Sequence, residues 1–292
     1  MIHTPVSVVT GANSGIGRAT ALHLAGAGHQ VYGTVRSVDR AGKLLDAAAE
    51  REVRVELIEL DIASDESVRD GFAEIFEHAG RVDHLVNNAG IGGNGVVEES
   101  SSERMLDVMN VDLCGAMRCL QAVLPGMRER GSGTIVNITS VAGRLAAIAQ
   151  APYVAAKWAL EGVSEELAME VAPFGVRVAI VEPGVTKSSI FGKNIDLPNE
   201  TGVYEAQYER MMQMYAAGYL HASDAVEVAR IVLRAIETDE PKLRYPVSWG
   251  GPGIVEGRAA MTDEEWVEMG RLESLGDYVA AFEEHFGIDI ST

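Results

Sequence analysis

Residues 6–29 read VSVVTGANSGIGRATALHLAGAGH. The β-branched run at the start predicts a strand, and RATALHLAGAGH predicts a helix that ends near Gly28. The glycines between them would let the backbone approach a pyrophosphate, and the N-terminus of the helix favours its negative charge. This order predicts a dinucleotide-binding turn, the alternative being a plain glycine-rich turn. The candidate cofactor contacts in this turn are Thr10, Gly11, Asn13, Ser14, Gly15, Ile16 and Gly17.

The rest of the chain alternates apolar strand patterns with helical patterns. One helical pattern is long and spans roughly residues 101–130. Strands that are apolar along their whole length, and that are joined by helices, form parallel sheets covered on both faces. The sequence therefore predicts an α/β fold. The further predicted strands lie at residues 30–35, 53–60, 83–87, 133–139, 176–181 and 243–247.

The domain organisation predicted from the sequence is simple, because the chain has no internal repeat and no low-complexity linker. We predict a dinucleotide-binding catalytic domain over residues 1–250 and an acidic helical extension over residues 251–292. Tyrosine and methionine crowd the second half of residues 185–220, which predicts an apolar lid over a substrate cleft. An ordinary amphipathic helix packed on the core would give the same pattern. The extension carries ten acidic and two basic residues, and we expect a solvated helix on the surface.

Composition argues against several classes of partner. The chain of 292 residues has a formal net charge of −19, which disfavours binding to nucleic acid or to an anionic membrane. No apolar run reaches the roughly eighteen residues that span a bilayer. The N-terminus lacks the basic flank of a signal peptide, so we expect a cytoplasmic protein. The seven histidines are scattered without ligand spacing, so we expect no metal site.

A tyrosine and a lysine are predicted to stand one helical turn apart. The motif Tyr153-x-x-x-Lys157 follows Pro152, which suits the first turn of a helix because no backbone donor is needed there. A free tyrosine titrates near pH ~10, and a fixed positive charge beside it favours the phenolate. Ser140, from another element, could hold a substrate oxygen. The pair alone is weak evidence, because many helix faces carry this spacing by chance.

The residues after the second and third strands bear on the choice of cofactor. In dinucleotide folds an acid at the end of the second strand binds the ribose hydroxyls and repels a 2′-phosphate. Val35 stands at that position and Arg36 follows it, which predicts NADP(H) over NAD(H) unless Arg36 is merely a solvated charge. Asp61 and Ile62, after the third strand, are further candidate cofactor contacts. Asp61 would either contact an adenine or serve as a carboxylate in a turn.

Six motifs occur together in one order along the chain: Thr10-Gly11-x-x-x-Gly15-x-Gly17, Asn87-Asn88-Ala89-Gly90, Asn110, Ser140, Tyr153-x-x-x-Lys157 and Pro183-Gly184. This set resembles the short-chain dehydrogenase/reductase family over roughly residues 5–247. The resemblance implies one Rossmann-type domain with a doubly wound parallel sheet of about seven strands and helices on both faces. The segments VYGTVR, LEGVSEELAMEV and LRYPV are most similar to the branch that contains retinol and 17β-hydroxysteroid dehydrogenases.

The resemblance also implies roles for the candidate residues. Tyr153 would pass a proton to or from the substrate oxygen, and Lys157 would bind the nicotinamide ribose. Ser140 would bond the reacting oxygen, and Asn110 would support a water-linked proton path to Lys157. The adenosine side of the cofactor would be lined by Asn87, Ala89 and Gly90. The nicotinamide end would lie against Tyr153, Lys157, Pro183, Gly184 and Thr186.

The implied activity is hydride transfer between a nicotinamide cofactor and a small lipophilic alcohol or ketone. The implied assembly is a homodimer or a homotetramer. The alternative function is a catalytically silent nucleotide-sensing or scaffold protein of the same fold. The presence of Tyr153, Lys157 and Ser140 favours the enzyme, because members that have lost the chemistry would be expected to lose one of the three.

Overall fold

Seven parallel strands form one sheet in the computed structural model, which describes residues 4–187 and 198–292. The strands are β1 Val6–Val9, β2 Gln30–Val35, β3 Val55–Glu59, β4 His84–Asn87, β5 Gly133–Ile138, β6 Val176–Pro183 and β7 Arg244–Val247. Their order across the sheet is β3-β2-β1-β4-β5-β6-β7, and every neighbouring pair is parallel. The predicted α/β fold with about seven parallel strands is thus confirmed.

Helices connect the strands and cover both faces of the sheet. None of the helices within the two described ranges is long and apolar enough to cross a membrane. The helices are α1 Gly15–Gly26, α2 Gly42–Glu50, α3 Asp65–Ala79, α4 Ser102–Met109, α5 Gly115–Arg130, α6 Ala151–Val171, α7 Glu205–His221, α8 Ala225–Glu237, α9 Gly251–Ala260, α10 Asp263–Arg271 and α11 Leu275–Phe286.

The sheet has a hydrophobic core on each face, because successive side chains of a strand point to opposite sides. Val9 and Val86 pack on one face with side chains from α1, α2 and α8. Their neighbours Val8 and Leu85 pack on the other face with side chains from α3 and α5. Both faces are therefore excluded from water, which explains why the strands are apolar along their length.

The position of β1 within the sheet determines where a crevice opens. β1 pairs with β2 on one side and with β4 on the other. The chain leaves β1 towards α1 on one face and leaves β4 towards α4 and α5 on the opposite face, which opens a crevice between the two loops. Such switch points are where open parallel sheets bind ligands. The glycine-rich turn and the Asn87–Gly90 motif meet at this crevice.

The long helix predicted over residues 101–130 is interrupted in its middle. A wide turn of π type spans Asn110–Cys114, between α4 and α5. The additional residue in such a turn changes which side chains face the core, and these turns often occur at functional sites. Gly115 directly follows the turn. A side chain at this position would be crowded, because a Cβ there would lie 2.7 Å from Ile62 Cδ1.

The C-terminal extension packs against α7, so the expectation of a solvated helix was wrong. Tyr278, Phe282 and Phe286 are buried in one apolar cluster that includes Ala217 of α7. The guanidinium of Arg210, also on α7, lies 4.9 Å from the centre of the Tyr278 ring. The ten acidic residues of the extension are all exposed, which explains why charge was the dominant signal in the sequence.

Phe282→Ala should test this packing. The ring is 3% exposed and its centre lies 4.5 Å from that of Phe286, so truncation should lower the free energy of unfolding by about 3–5 kcal/mol. Val267→Ala is the matched control, because Val267 lies on α10 of the same extension but is exposed. The control should change the free energy of unfolding by less than ~0.5 kcal/mol. Equal urea denaturation curves for Phe282→Ala and wild type would contradict the packing described above.

Candidate active site

Hydrogen bonds connect the glycine-rich turn to the loop that follows β4. The Thr10 hydroxyl oxygen accepts hydrogen bonds from the amides of Asn88, at 2.9 Å, and Ala89, at 3.0 Å. Gly11 has a φ of +67°, and a Cβ there would lie 2.9 Å from Ala89 Cα. Both the conformation and the close approach therefore require glycine at this position.

The first turn of α1 is suited to an anion. Gly15 starts the helix with a φ of +54°, and no acidic side chain lies in the first turn. Ser14 precedes it in an extended conformation, so the amides of residues Gly15 to Gly17 open the helix towards the crevice. These donors and the positive end of the helix fit a pyrophosphate.

The two asparagines of the Asn87–Gly90 motif make different contacts. Asn87 is 4% exposed and donates from Nδ2 to Asn137 Oδ1 at 2.9 Å, so its side chain lies within the sheet layer. Asn88 faces the glycine-rich turn and donates from Nδ2 to Thr10 O at 2.8 Å. The sequence-based assignment named Asn87 as a cofactor contact and omitted Asn88, although both stand in the same motif.

Asp61 and Ile62 also lie near the crevice but are held by internal contacts. Asp61 Oδ1 accepts the amide of Ala63 at 3.0 Å, which is the turn-carboxylate alternative considered for this residue. The backbone amide of Asp61 donates to Ser67 Oγ at 2.9 Å. Ile62 is 7% exposed and packs against Gly115. Both residues thus stabilise the loop that follows β3.

Tyr153 and Lys157 stand on one face of α6, as the sequence predicts. The Lys157 ammonium lies 5.5 Å from the centre of the Tyr153 ring. It also donates to Ile138 O at 3.4 Å, at the end of β5. Ser140 follows that strand and accepts the amide of Ala142 at 3.1 Å, which orients its hydroxyl. The structure therefore brings the elements that carry the serine, the tyrosine and the lysine together.

The residue that contacts Lys157 from the wide turn is Asp112, and the assignment of Asn110 is corrected accordingly. Asp112 Oδ2 lies 3.1 Å from Lys157 Nζ, and both side chains are buried. Asn110 points elsewhere: its Nδ2 donates to Ala63 O at 3.4 Å, and its Oδ1 accepts from Arg118 at 2.9 Å. The π-type geometry of the turn, which the sequence did not reveal, places the third rather than the first residue at the lysine.

The Lys157 ammonium remains charged although it is buried. Burial lowers the pKa of Lys157, but the carboxylate of Asp112 raises it, with smaller contributions from Tyr153 and Glu161. The net effect is a pKa above the usual lysine value. A positive charge is therefore maintained beside the tyrosine ring.

The Pro183-Gly184 turn is confined by the C-terminal part of the fold. A Cβ at Gly184 would overlap the carbonyl oxygen of Trp249 and lie 2.6 Å from Gly251 N. Thr186 is 3% exposed, and its hydroxyl donates to Ser248 Oγ at 2.8 Å. The nicotinamide end of the predicted cofactor site is thus bordered by residues just before α9.

A buried carboxylate network underlies the site. Glu182, next to Pro183, is fully buried and lies 3.1 Å from Arg144 Nη1. Burial raises the pKa of Glu182, and nearby Glu161 adds to this effect, while Arg144 and Arg244 lower it; the net result is a pKa of about 7. Glu161 accepts the Thr139 hydroxyl at 2.6 Å, and Thr139 precedes Ser140 in the chain. The network therefore holds the backbone in place on both sides of Ser140.

An apolar wall stands beside the N-terminus of α6. A Cβ at Gly93 would lie 3.2 Å from Tyr153 N, so residues 93–96 run directly past the tyrosine. The Tyr215 hydroxyl of α7 donates to Asn94 Oδ1 at 2.8 Å. The apolar wall consists of Val96, Ile148, Ala149, Tyr204, Tyr208, Met211 and Tyr215.

The lid expected over residues 185–220 is described only in part, because residues 188–197 lie outside the described residues. The part on α7 is held in place by polar contacts with the C-terminal extension. Arg210 donates to Gly270 O at 3.2 Å, and Gln213 donates to Thr292 Oγ1 at 3.1 Å. Within the described part, α7 and the residue that precedes it contribute to the apolar wall the side chains of Tyr204, Tyr208, Met211 and Tyr215.

The pattern that defines short chain dehydrogenases matches residues 5–197, which is more than half of the chain. The chain belongs to the short-chain dehydrogenase family. As a short-chain dehydrogenase it is an oxidoreductase that acts on alcohol or ketone groups with a nicotinamide cofactor. Among residues 4–187 and 198–292, no group of histidine, cysteine, aspartate or glutamate side chains is arranged to hold a metal ion.

Relatives of this short-chain dehydrogenase agree with the branch suggested by its motifs. 17-beta-hydroxysteroid dehydrogenase type 1 from Mus musculus is 36% identical over 82% of this chain and 72% of its own length. A short-chain dehydrogenase from Streptomyces avermitilis has a TM-score of 0.80 at 35% identity, over 95% of this chain and 98% of that chain. Actinorhodin polyketide ketoreductase, crystallised with NADPH, has a TM-score of 0.70 at 32% identity, over 80% of this chain and 90% of that chain.

Proposed function

We propose that this enzyme transfers hydride between NADP(H) and a lipophilic alcohol or ketone, with Tyr153 as the general acid and base. The observation that carries the proposal is the Tyr153–Lys157 pair, with a ring-to-ammonium distance of 5.5 Å, at the foot of the apolar wall. A proton donor and a hydrophobic surface at the same place suit a carbonyl group on an apolar substrate.

The proposed division of labour follows from the positions of the side chains. When bound, the nicotinamide supplies or accepts the hydride. Tyr153 gives its hydroxyl proton to the carbonyl oxygen during reduction and takes it back during oxidation. Ser140 donates a hydrogen bond to the same oxygen, which fixes its distance from the tyrosine. Lys157 binds the nicotinamide ribose and stabilises negative charge on Tyr153 through its ammonium group.

The proposed lipophilic substrate is supported by the lining of the cleft. Ile148, Tyr204 and Tyr215 are partly exposed and pack against the buried members of the apolar wall, so they can offer an apolar surface to a ligand. The relative from Mus musculus carries a hydroxysteroid in its name, which is a lipophilic alcohol. We also propose that residues 185–220 contribute to closing this cleft, since closure would exclude water from the hydride step.

The proposed preference for NADP(H) rests on Arg36. Arg36 is exposed on the loop after β2, and Asn13 donates to Arg40 O at 3.1 Å, which holds that loop against the glycine-rich turn. Val35 is buried and presents no carboxylate. Glu59 is opposite Val35 in register, but its carboxylate accepts a backbone amide of the same loop at 3.3 Å. A guanidinium is thus available for a 2′-phosphate.

We further propose a homodimer or homotetramer built on α4 and α6, which pack against each other. Large apolar side chains remain exposed on these two helices. Leu106 on α4 is 67% exposed, and Trp158 and Met169 on α6 are 49% and 75% exposed. An apolar surface of this kind is typical of an interface between subunits.

Tyr153→Phe should abolish turnover while leaving cofactor affinity nearly unchanged. The substitution keeps the ring and removes the proton donor, and a positioned proton donor is worth ~10²–10⁴-fold in rate. The measurement is NADPH consumption with a panel of hydrophobic ketones, together with NADPH binding by fluorescence. Tyr219→Phe is the control, because Tyr219 is exposed on α7. A Tyr153→Phe enzyme with wild-type kcat would exclude the assigned role, and a wild type without any turnover would favour a silent binding protein.

Arg36→Ala should lower kcat/KM for NADPH about ten- to a hundredfold and leave kcat/KM for NADH within about twofold. A charge-assisted hydrogen bond contributes on the order of 1.5–3 kcal/mol, and only NADPH carries the 2′-phosphate. Arg54→Ala is the matched control, since Arg54 is an exposed arginine at the opposite end of the sheet edge. A wild-type enzyme with a higher kcat/KM for NADH than for NADPH would show that the preference was assigned wrongly.

Static light scattering should give a mass of two or four times 31.2 kDa for the wild type. Met169→Glu should reduce it to the monomer mass, because the substitution places a charge in the proposed interface. Val267→Glu changes an exposed apolar residue away from α4 and α6 and should leave the mass unchanged. A wild-type monomer at micromolar concentration would rule out the proposed assembly.

A further inference from the structure

The wide turn between α4 and α5 places a carboxylate against the lysine of the active site. Asp112 is 1% exposed, and its Oδ2 lies 3.1 Å from Lys157 Nζ. Its second oxygen, Oδ1, accepts the amide of Ile91 at 2.7 Å. A Cβ at Gly90 would lie 3.1 Å from Oδ2, so the loop after β4 closes tightly over the carboxylate. The aspartate is therefore fixed between the lysine and the cofactor-side loop.

A buried ammonium is costly unless a charge of opposite sign compensates it. Within the described residues, the charged and titratable groups that act on Lys157 are Asp112 on the wide turn and Tyr153 and Glu161 on α6. Tyr215 on α7 faces Tyr153, and β5 contributes only a carbonyl oxygen, that of Ile138. Glu161 is already engaged by Thr139 and Arg244. Asp112 is the carboxylate in direct contact with the ammonium.

We propose that Asp112 is a positioning residue that keeps the buried ammonium of Lys157 charged and directed at the active site, and that it thereby extends activity into the alkaline range. An uncharged side chain at this position would accept the Ile91 amide equally well but would leave the lysine uncompensated. The lysine would then lose its proton at a lower pH. The site would then lack the positive charge that stabilises Tyr153 during proton transfer. In the proposed function, the same charge lies beside the nicotinamide ribose.

The matched variant is Asp112→Asn, which preserves the size of the side chain and the acceptor for Ile91. The first measurement is an NMR titration of lysine labelled with ¹³C at Cε, in the enzyme without added cofactor. The chain contains five lysines, and Lys157→Arg assigns the signal. The midpoint of Lys157 should fall by about one pH unit or more in Asp112→Asn, because a unit charge at ion-pair distance is removed. Equal midpoints in the two proteins would overturn the proposal.

The second measurement is the pH profile of ketone reduction with NADPH. In Asp112→Asn the alkaline limb of kcat should move to lower pH by about one unit or more, while kcat at the acidic plateau stays within about threefold of wild type. Asp70→Asn is the control, because it removes one carboxylate from an exposed ion pair with Arg69 and changes the net charge equally. A uniform loss of rate with an unmoved alkaline limb would show a merely structural role and overturn the proposal.

A third variant is provided in case Asp112→Asn does not fold. If Asp112→Asn does not give a cooperative thermal transition, Asp112→Ser supplies a smaller neutral acceptor, and the same fall in the Lys157 midpoint is expected. The NMR readout does not depend on turnover, so it decides the role of Asp112 even if the proposed substrates are not converted. A wild-type midpoint that already equals that of the neutral variants would count against the proposal.

Discussion

The parallel pairing of β1 with both β2 and β4 is the constraint on which the rest of the site depends. It sends the chain to opposite faces of the sheet from adjacent strand ends, so the glycine-rich turn and the Asn87–Gly90 loop meet at one edge. The Thr10 hydroxyl then joins them by accepting two amides. Since β5 and β6 continue the same parallel order, their ends deliver Ser140 and the Pro183-Gly184 turn to the same edge.

Compensated burial of charge is the second organising feature. Lys157 is held between Asp112 and the carbonyl end of β5, while Glu182 lies beneath the neighbouring turn with Arg144. Buried ionic groups add little stability when compared with apolar packing. Here the buried ionic groups lie next to the proposed reacting groups. A fixed charge and a fixed hydrogen-bond direction are needed at such positions, although burying the charges is unfavourable.

The C-terminal extension connects the stability of the fold with the shape of the cleft. Its aromatic side chains bury one side of α7, and α7 presents Met211 and Tyr208 to the apolar wall on its other side. Gly251, the first residue of the extension, lies against Gly184 together with Trp249. A segment that looked like an acidic surface helix therefore packs on α7 and borders the Pro183-Gly184 turn.

The α/β class, the parallel sheet, the glycine-rich turn and the Tyr153–Lys157 pair were all predictable from the sequence. These follow from local rules: the period of apolar residues, the need for glycine where backbones approach, and the spacing of one helical turn. The contact of Asp112 rather than Asn110 with Lys157 became visible only in the folded chain. The same is true of Asn87, which bonds within the sheet layer, and of Asn88, which bonds the glycine-rich turn. A π-type turn rotates the side chains that follow it, and partners far apart in the chain compensate buried charge. Neither effect leaves a periodic signal along the sequence, because both depend on which elements the fold brings into contact.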